Sequence, residues 1–238
     1  METIDLFSEL VMKRRTIRGF KQDKDVPEQY VTRILDIARW APSGANGQPW
    51  EFIVIRDAST RQKIVDLFLR QRELKTEAEK AIRGEVKMGG AGFRDAPVFI
   101  LVLGDQRADL AYPVMTREEK SFQHLITGLA SAGLLIQLAA AALGLGSQYV
   151  SDASSPYMAI MLKKYLGIPQ PLKVYELIPI GYPKGDVAPP PRRALEEIVH
   201  YERYDESRAR TEEDVRRFLL DVARLGAYGK GAKKEGRE

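Results

Sequence analysis

The alternation of apolar and polar residues along the chain predicts more helices than strands. Residues 3–12 read as a short amphipathic helix running into the basic stretch Lys13, Arg14, Arg15. A second helix opens at Pro27 and sets Val31, Ile34, Leu35 and Ala38 on one face, and Ala41-Pro42 stops it because a proline ring clashes with helical backbone before it. Trp50 to Asp57, WEFIVIRD, reads as a buried strand. Residues 59–83 mix Arg, Lys, Glu and Gln with Ile64, Val65, Leu67 and Phe68, the pattern of a largely exposed helix. They lead to the glycine-rich GGAG of Gly89–Gly92, where mobility is expected. PVFILVLGD, Pro97 to Asp105, is predicted as a second buried strand, followed by a long helix from about Glu118 to Leu143 and a third strand beginning at Ser147. Ser155-Pro156 starts a helix that Gly167 ends, and Val174 to Tyr182 forms a fourth strand. A last helix opens with a capping box between Thr211 and Asp214. It carries the stripe Val215, Phe218, Leu219, Val222 and Leu225 and stops at Gly226.

No repeat and no shift of composition marks a linker, so one α+β domain is expected over 1–226, followed by a frayed basic tail over 227–238. The irregular spacing of strands, with no GxGxxG after the first, argues against a doubly wound nucleotide fold. GGAG precedes a strand instead of following one and is no phosphate cradle. The uncharged stretch from Leu125 to Gly146 is long enough to span a bilayer. Ala, Gly, Thr127, Ser131 and Gln137 dilute it, and its ends lack an aromatic and lysine belt. It is therefore read as a buried helix, whose small residues Gly128, Ala132, Gly133 and Ala139 to Ala141 admit a close neighbour such as a second subunit. The N-terminal METIDLFSELVMKRR starts acidic and lacks the apolar run and cleavage site of a signal peptide.

Composition narrows the chemistry. A chain of 238 residues that is 44% hydrophobic supports a sizeable core and excludes wholesale disorder. The absence of cysteine excludes disulfides, thiolate zinc sites, iron–sulfur clusters and a cysteine nucleophile, and fits a cytoplasmic setting. His124 and His200 are too few for a multi-histidine metal site, so no metal is expected, and neither is given a catalytic role. The balance of 37 basic against 33 acidic residues, with part of the excess in Lys230, Lys233, Lys234 and Arg237, does not point to nucleic acid.

Two basic clusters and one loop carry candidate chemistry. Arg14, Arg15 and Arg18 follow a helix and flank the hydroxyl of Thr16, a set suited to forked hydrogen bonds with phosphate oxygens. Arg192-Arg193, on a proline-stiffened loop, is a second basic pair, and two such clusters suit one dianion. Each taken alone also reads as a solvated charge patch. In APSGANGQPW, Ala41 to Trp50, Gly44 and Gly47 let backbone approach a ligand, and Ser43, Asn46 and Gln48 offer donors and acceptors to a heterocycle edge. The same residues also make an ordinary turn.

The order RRTIRGF, VPEQYVTRILDIARWAPSGANGQPWEFIVIRD, LGLGSQYVSD, ELIPIGYP and PPPRRALEEIV resembles the FMN-dependent nitroreductase superfamily along nearly the whole chain. The resemblance implies an α+β fold with a central, mostly antiparallel sheet wrapped by helices, and an intertwined homodimer with FMN at its interface. It implies ping-pong chemistry in which NADH or NADPH reduces the flavin and a small acceptor, a nitroaromatic or quinone, reoxidises it. By motif match, Arg14, Arg15 and Thr16 hold the phosphate and ribityl chain, Arg18 belongs to the same motif, and Arg192 and Arg193 close on the phosphate. Pro42, Ser43 and Gly44, with Asn46 and Gln48, contact the isoalloxazine from the other subunit. Gly146 and Ser147 face the flavin N5 atom, which makes Ser147 the candidate catalytic contact. The polar residue that the family often has ahead of the second strand is replaced by GGAGF, with Arg94 the nearest substitute.

The motifs come nearest to the branch containing halotyrosine dehalogenases, whose lid grips substrate with a Glu, a Tyr and a Lys. The stretch Phe68 to Gly92 holds Glu73, Glu77, Lys80 and Lys87 but no Tyr. Reductive dehalogenation of an aromatic substrate is therefore the alternative to acceptor reduction. A non-catalytic flavin-binding protein would keep the same arginines and loop.

Overall fold

Two strands whose side chains are apolar on both faces organise the larger unit, because such strands find a place only between two layers of helix. The computed structural model describes residues 2–84 and 91–223. They contain β1 (Trp50–Ile55), β2 (Val98–Asp105), β3 (Gly146–Ser147) and β4 (Leu172–Gly181), ordered β1-β2-β4-β3 with every neighbouring pair antiparallel. The helices are α1 (Thr3–Lys13), α2 (Glu28–Ala38), α3 (Ala58–Arg83), α4 (Val114–Ala142), α5 (Pro156–Leu166) and α6 (Glu212–Arg217). The chain divides into two compact units after Val187. The division falls just before the run Pro189-Pro190-Pro191.

One face of the sheet, with Phe99, Leu101, Leu103, Val174 and Leu177, packs against Ile64, Val65 and Phe68 of α3 and Met158 and Leu162 of α5. The other, with Val98, Ile100, Val102, Ile178 and Ile180, packs against Val31, Ile34 and Ala38 of α2 and Leu125, Leu129, Ala132, Ile136 and Ala140 of α4. The helix α4 is long and apolar enough to cross a membrane, and it is spent instead on this core. The expected helix ends hold where local chemistry sets them. Pro27 precedes α2, Pro156 opens α5, and Gly167 closes α5 in the left-handed conformation at φ 66°.

Several expectations need correction. Strand β1 is an edge strand, buried at Trp50 and Ile55 and exposed at Glu51 and Val54, because it pairs on one side only. The third strand shrinks to two residues, with Val150 bridging Leu177 as an isolated pair. Helix α4 starts at Val114 because Pro113 supplies its cap position. The half of α3 nearest its start is buried, at Ile64, Val65, Leu67, Phe68 and Gln71, and only the remainder is largely exposed.

In the smaller unit the Thr211–Asp214 capping box is present, but α6 loosens into a π-type turn over Phe218–Ala223, and Val215 and Leu219 of its stripe are exposed. Lys87, Gly89 and Gly90, the expected stop at Gly226, Leu225 and the basic tail lie outside the described residues.

Candidate functional site

Beyond α1 the chain runs as an extended strap between two parts of the sheet. The Ile17 amide donates to the Ser147 carbonyl at 2.9 Å, beside a parallel pairing of Thr16 with Ser147. Further along, Lys184 donates its amide to the Gly19 carbonyl at 3.0 Å, and Lys21 donates to Tyr182 at 2.9 Å. Gly146 permits this seat, since a Cβ there would lie 2.5 Å from Cγ1 of Ile17. The strap thus brings the arginine motif against β3 and opens a cavity of about 330 Å³. Its walls include Lys13, Arg14, Arg15, Gly146, Ser147 and Asp186.

Three cations against one carboxylate give the lining of this cavity a positive balance. Nη1 of Arg15 donates to the Arg14 carbonyl at 2.7 Å, while its Nε is buried with no acceptor. Arg14 donates from Nη1 to Oε1 of Gln137 at 3.3 Å. A buried donor left unpaired costs about 1–3 kcal/mol, so a ligand with several anionic oxygens would recover what the fold leaves unmade. A terminal phosphate has that donor-accepting capacity, and the residues present fit one.

On the same side as α4 lies a polar group that the sequence reading missed. Glu176 sits on β4, on the face it shares with Ile178 and Ile180, at 6% exposure and with Oε1 unpaired. Burial pushes its carboxyl up to about 8, which leaves it largely neutral at physiological pH. Gln137, 1% exposed, leaves Nε2 unpaired, and burial pushes the nearby Tyr149 phenol up to about 12. The signal for Glu176 in the sequence is an acid inside the apolar run VYELIPIGY; Gln137 and Asp186 carry no comparable signal.

The loop Ala41–Trp50 has a demanding backbone. Ala45, Asn46 and Gln48 take φ values of 48°, 53° and 42°, the left-handed region that non-glycine residues enter at a cost of about 1 kcal/mol or more each. Ser43 Oγ accepts from the Gln48 amide at 3.0 Å, and the Tyr112 hydroxyl donates to the Gly44 carbonyl at 3.1 Å. Ser43 and Pro49 seat on Gly128 of α4, whereas the cavity is walled by Ala141 of the same helix. At 1.5 Å per residue these points lie about 20 Å apart along α4. One chain therefore keeps the loop and the arginine cavity separate.

The remaining candidates are dispersed. Arg18 is exposed, and its backbone carbonyl packs against Gly92. Arg94 folds back so that its Nε donates to the Ala91 carbonyl at 3.4 Å. In the smaller unit, Arg192 donates to the carbonyls of Pro190 and Pro191 at 3.4 and 3.1 Å. Arg193 meets the Glu197 carboxylate at 3.2 Å and donates to its carbonyl at 2.8 Å. Glu73 pairs with Arg70 at 3.1 Å. Among the described residues there is no cluster of groups able to hold a metal ion.

Comparison with known proteins bears directly on this arrangement. The model of the nitroreductase family matches residues 11–182. A Methanothermobacter thermautotrophicus protein, whose name proposes an NADH dehydrogenase/NAD(P)H nitroreductase, is 30% identical over 175 residues, covering 74% of this chain and 76% of that protein. Iodotyrosine deiodinase 1 of Mus musculus is 27% identical over 202 residues, covering 81% of this chain and 68% of the enzyme. Among solved structures, a BluB-like flavoprotein from Clostridium difficile 630 superposes with a TM-score of 0.66 at 25% identity, covering 85% of this chain and all of that one.

Proposed function

The chain belongs to the nitroreductase family, and from that premise we propose that it is an FMN-dependent oxidoreductase that takes electrons from NADH or NADPH and passes them to a small organic acceptor by a ping-pong mechanism. The observation that carries this reading is the cavity where Lys13, Arg14 and Arg15 face Gly146 and Ser147, with a buried guanidinium N–H awaiting an acceptor. When bound there, FMN supplies a ring that accepts a hydride from the nicotinamide and later returns two electrons to the acceptor.

The chain's own residues then divide the work of binding. Lys13, Arg14 and Arg15 hold the phosphate, with Thr16 and Arg18 on the same strap and Arg192 and Arg193 assigned to it by motif alone. Gly146 lets Ile17 seat the strap, and Ser147 follows it on the cavity wall as the residue assigned to the flavin. Pro42, Ser43, Gly44, Asn46 and Gln48 serve the ring of a site in a second copy, since about 20 Å of helix separates them from the cavity of their own chain. A homodimer is further supported by α1, none of whose residues is buried although Ile4, Leu6, Phe7, Val11 and Met12 are apolar. Leaving such a face in water is costly, and a partner subunit removes the cost. A cytoplasmic setting without membrane or nucleic-acid partner completes the proposal.

The likeness to iodotyrosine deiodinase 1 favours reductive dehalogenation as a second reading. Against it, the segment Phe68 to Gly92 contains no tyrosine, and Glu73 is engaged by Arg70. The deciding experiment is chromatography of the cofactor released on denaturation, followed by anaerobic bleaching of the yellow protein with NADH and NADPH and an acceptor screen that includes a halotyrosine. FMN is expected. FAD, or no flavin even after reconstitution, overturns the proposal.

A further inference from the structure

We propose that Tyr112 is a positioning residue, whose hydroxyl acts through Gly44 to fix the Pro42–Gln48 loop in the shape that receives the flavin ring. This rests on the reading of that loop as a ring contact. Three left-handed non-glycine residues within four positions form a conformation that persists only where its surroundings over-determine it. Inside the loop, Asn46 donates to the Ser43 carbonyl at 3.1 Å and Gly47 to the Gly44 carbonyl at 2.9 Å, and these bonds would form in several turn geometries. Among the described residues, the one hydrogen bond that reaches residues 43–48 from outside the loop is that of Tyr112 to Gly44.

The fit is as specific as the hydrogen bond. A Cβ on Gly44 would lie 2.6 Å from the Tyr112 hydroxyl and 3.0 Å from Nδ1 of His124, so glycine is required for the approach. The Tyr112 ring is itself held, tilted against His124 at 4.9 Å between centroids, with the Tyr112 amide donating to the Asp109 carbonyl at 2.9 Å and Pro113 capping α4 immediately after it. Burial and the nearby Asp109 charge raise the phenol above its ordinary value, so the hydroxyl keeps its proton and remains a donor. The loop is thus anchored twice on the α4 region, at Gly128 through Ser43 and at the start of the helix through Tyr112. His124, which the sequence leaves without a role, becomes the wall against which the clamp closes.

The test is Tyr112→Phe, which keeps the ring on His124 and removes only the donor. FMN titration of the FMN-free full chain should show a dissociation constant raised about five- to ten-fold, the worth of one ordinary hydrogen bond. The visible circular dichroism of the bound flavin, which reports the ring's surroundings, should change. Adding Ala45→Gly should recover most of the affinity, because glycine adopts the left-handed backbone without the tyrosine's help. Equal affinity and an unchanged spectrum in Tyr112→Phe would overturn the clamp while leaving the flavin reading intact. A loss that Ala45→Gly leaves untouched would also overturn it, since that marks general damage to the fold. Absence of FMN binding by the unmodified chain would remove the functional reading and the clamp with it.

Discussion

The amide of Ile17 donates to the carbonyl of Ser147 at 2.9 Å, and the side chain of Ile17 fills the space above Gly146 that any larger residue would claim. This contact converts a basic stretch after α1 into one wall of a cavity whose opposite wall is β3. The shape of this cavity therefore depends on a packing contact between an apolar side chain and a glycine.

Gly146→Ala tests that dependence. The added methyl would come 2.5 Å from Cγ1 of Ile17, so the strap must shift or the isoleucine must leave its rotamer. Overpacking of this kind costs about 1–3 kcal/mol. Urea unfolding should show that loss, and FMN titration should show weakened binding, because the strap carries Arg14 and Arg15.

Removing Arg15 should weaken FMN more than it weakens the fold. A charge-assisted hydrogen bond contributes about 1.5–3 kcal/mol, so Arg15→Ala should raise the dissociation constant by about one to two decades. Arg193→Ala tests the motif assignment of that residue and should act in the same direction, although in the structure its guanidinium is bonded to Glu197. Flavin titration measures both. Unchanged affinity in the two variants would mean that the phosphate is held elsewhere.

Glu176 makes stability depend on pH. Its carboxyl titrates at about 8 in the fold against an ordinary value of 4.5, so between those values the folded chain binds more protons than the unfolded one. Stability then falls as pH rises through this window: the contribution is complete below about 4.5 and lost above about 8. Glu176→Gln should remove the decline and leave the variant more stable than the parent above the window, by on the order of a few kcal/mol. Urea unfolding below, within and above the window measures the slope, and a parent with no decline would show that Glu176 finds a partner in solution.

The exposed face of α1 gives the assembly a test of its own. Light scattering at micromolar concentration should report a dimer, and Phe7→Asp, which puts a charge on that face, should shift it toward monomer and weaken FMN together. A monomer that retains FMN would refute the shared site.

What the sequence determined by itself is what neighbouring residues decide among themselves. Pro27, Ser155-Pro156, Gly167 and the Thr211–Asp214 box set helix ends through local backbone chemistry, and the apolar runs of β2 and β4 require cover on both faces wherever they lie. The arginine motif and the APSGANGQPW loop were legible as candidates because their residue types and order are preserved in one linear stretch each. The tertiary structure alone decided which of them meet. Strand order made β1 an edge, and antiparallel pairing of β4 placed the acid Glu176 under helix instead of water. The stripe of α6 shows the boundary most plainly. Its period fixes a helix with an apolar face, but whether Val215 and Leu219 are covered depends on surfaces distant in the chain, which no local pattern encodes. The same holds for Tyr112 and Gly44: each is ordinary in its own segment, and only the packing of two loops beside α4 turns them into donor and acceptor.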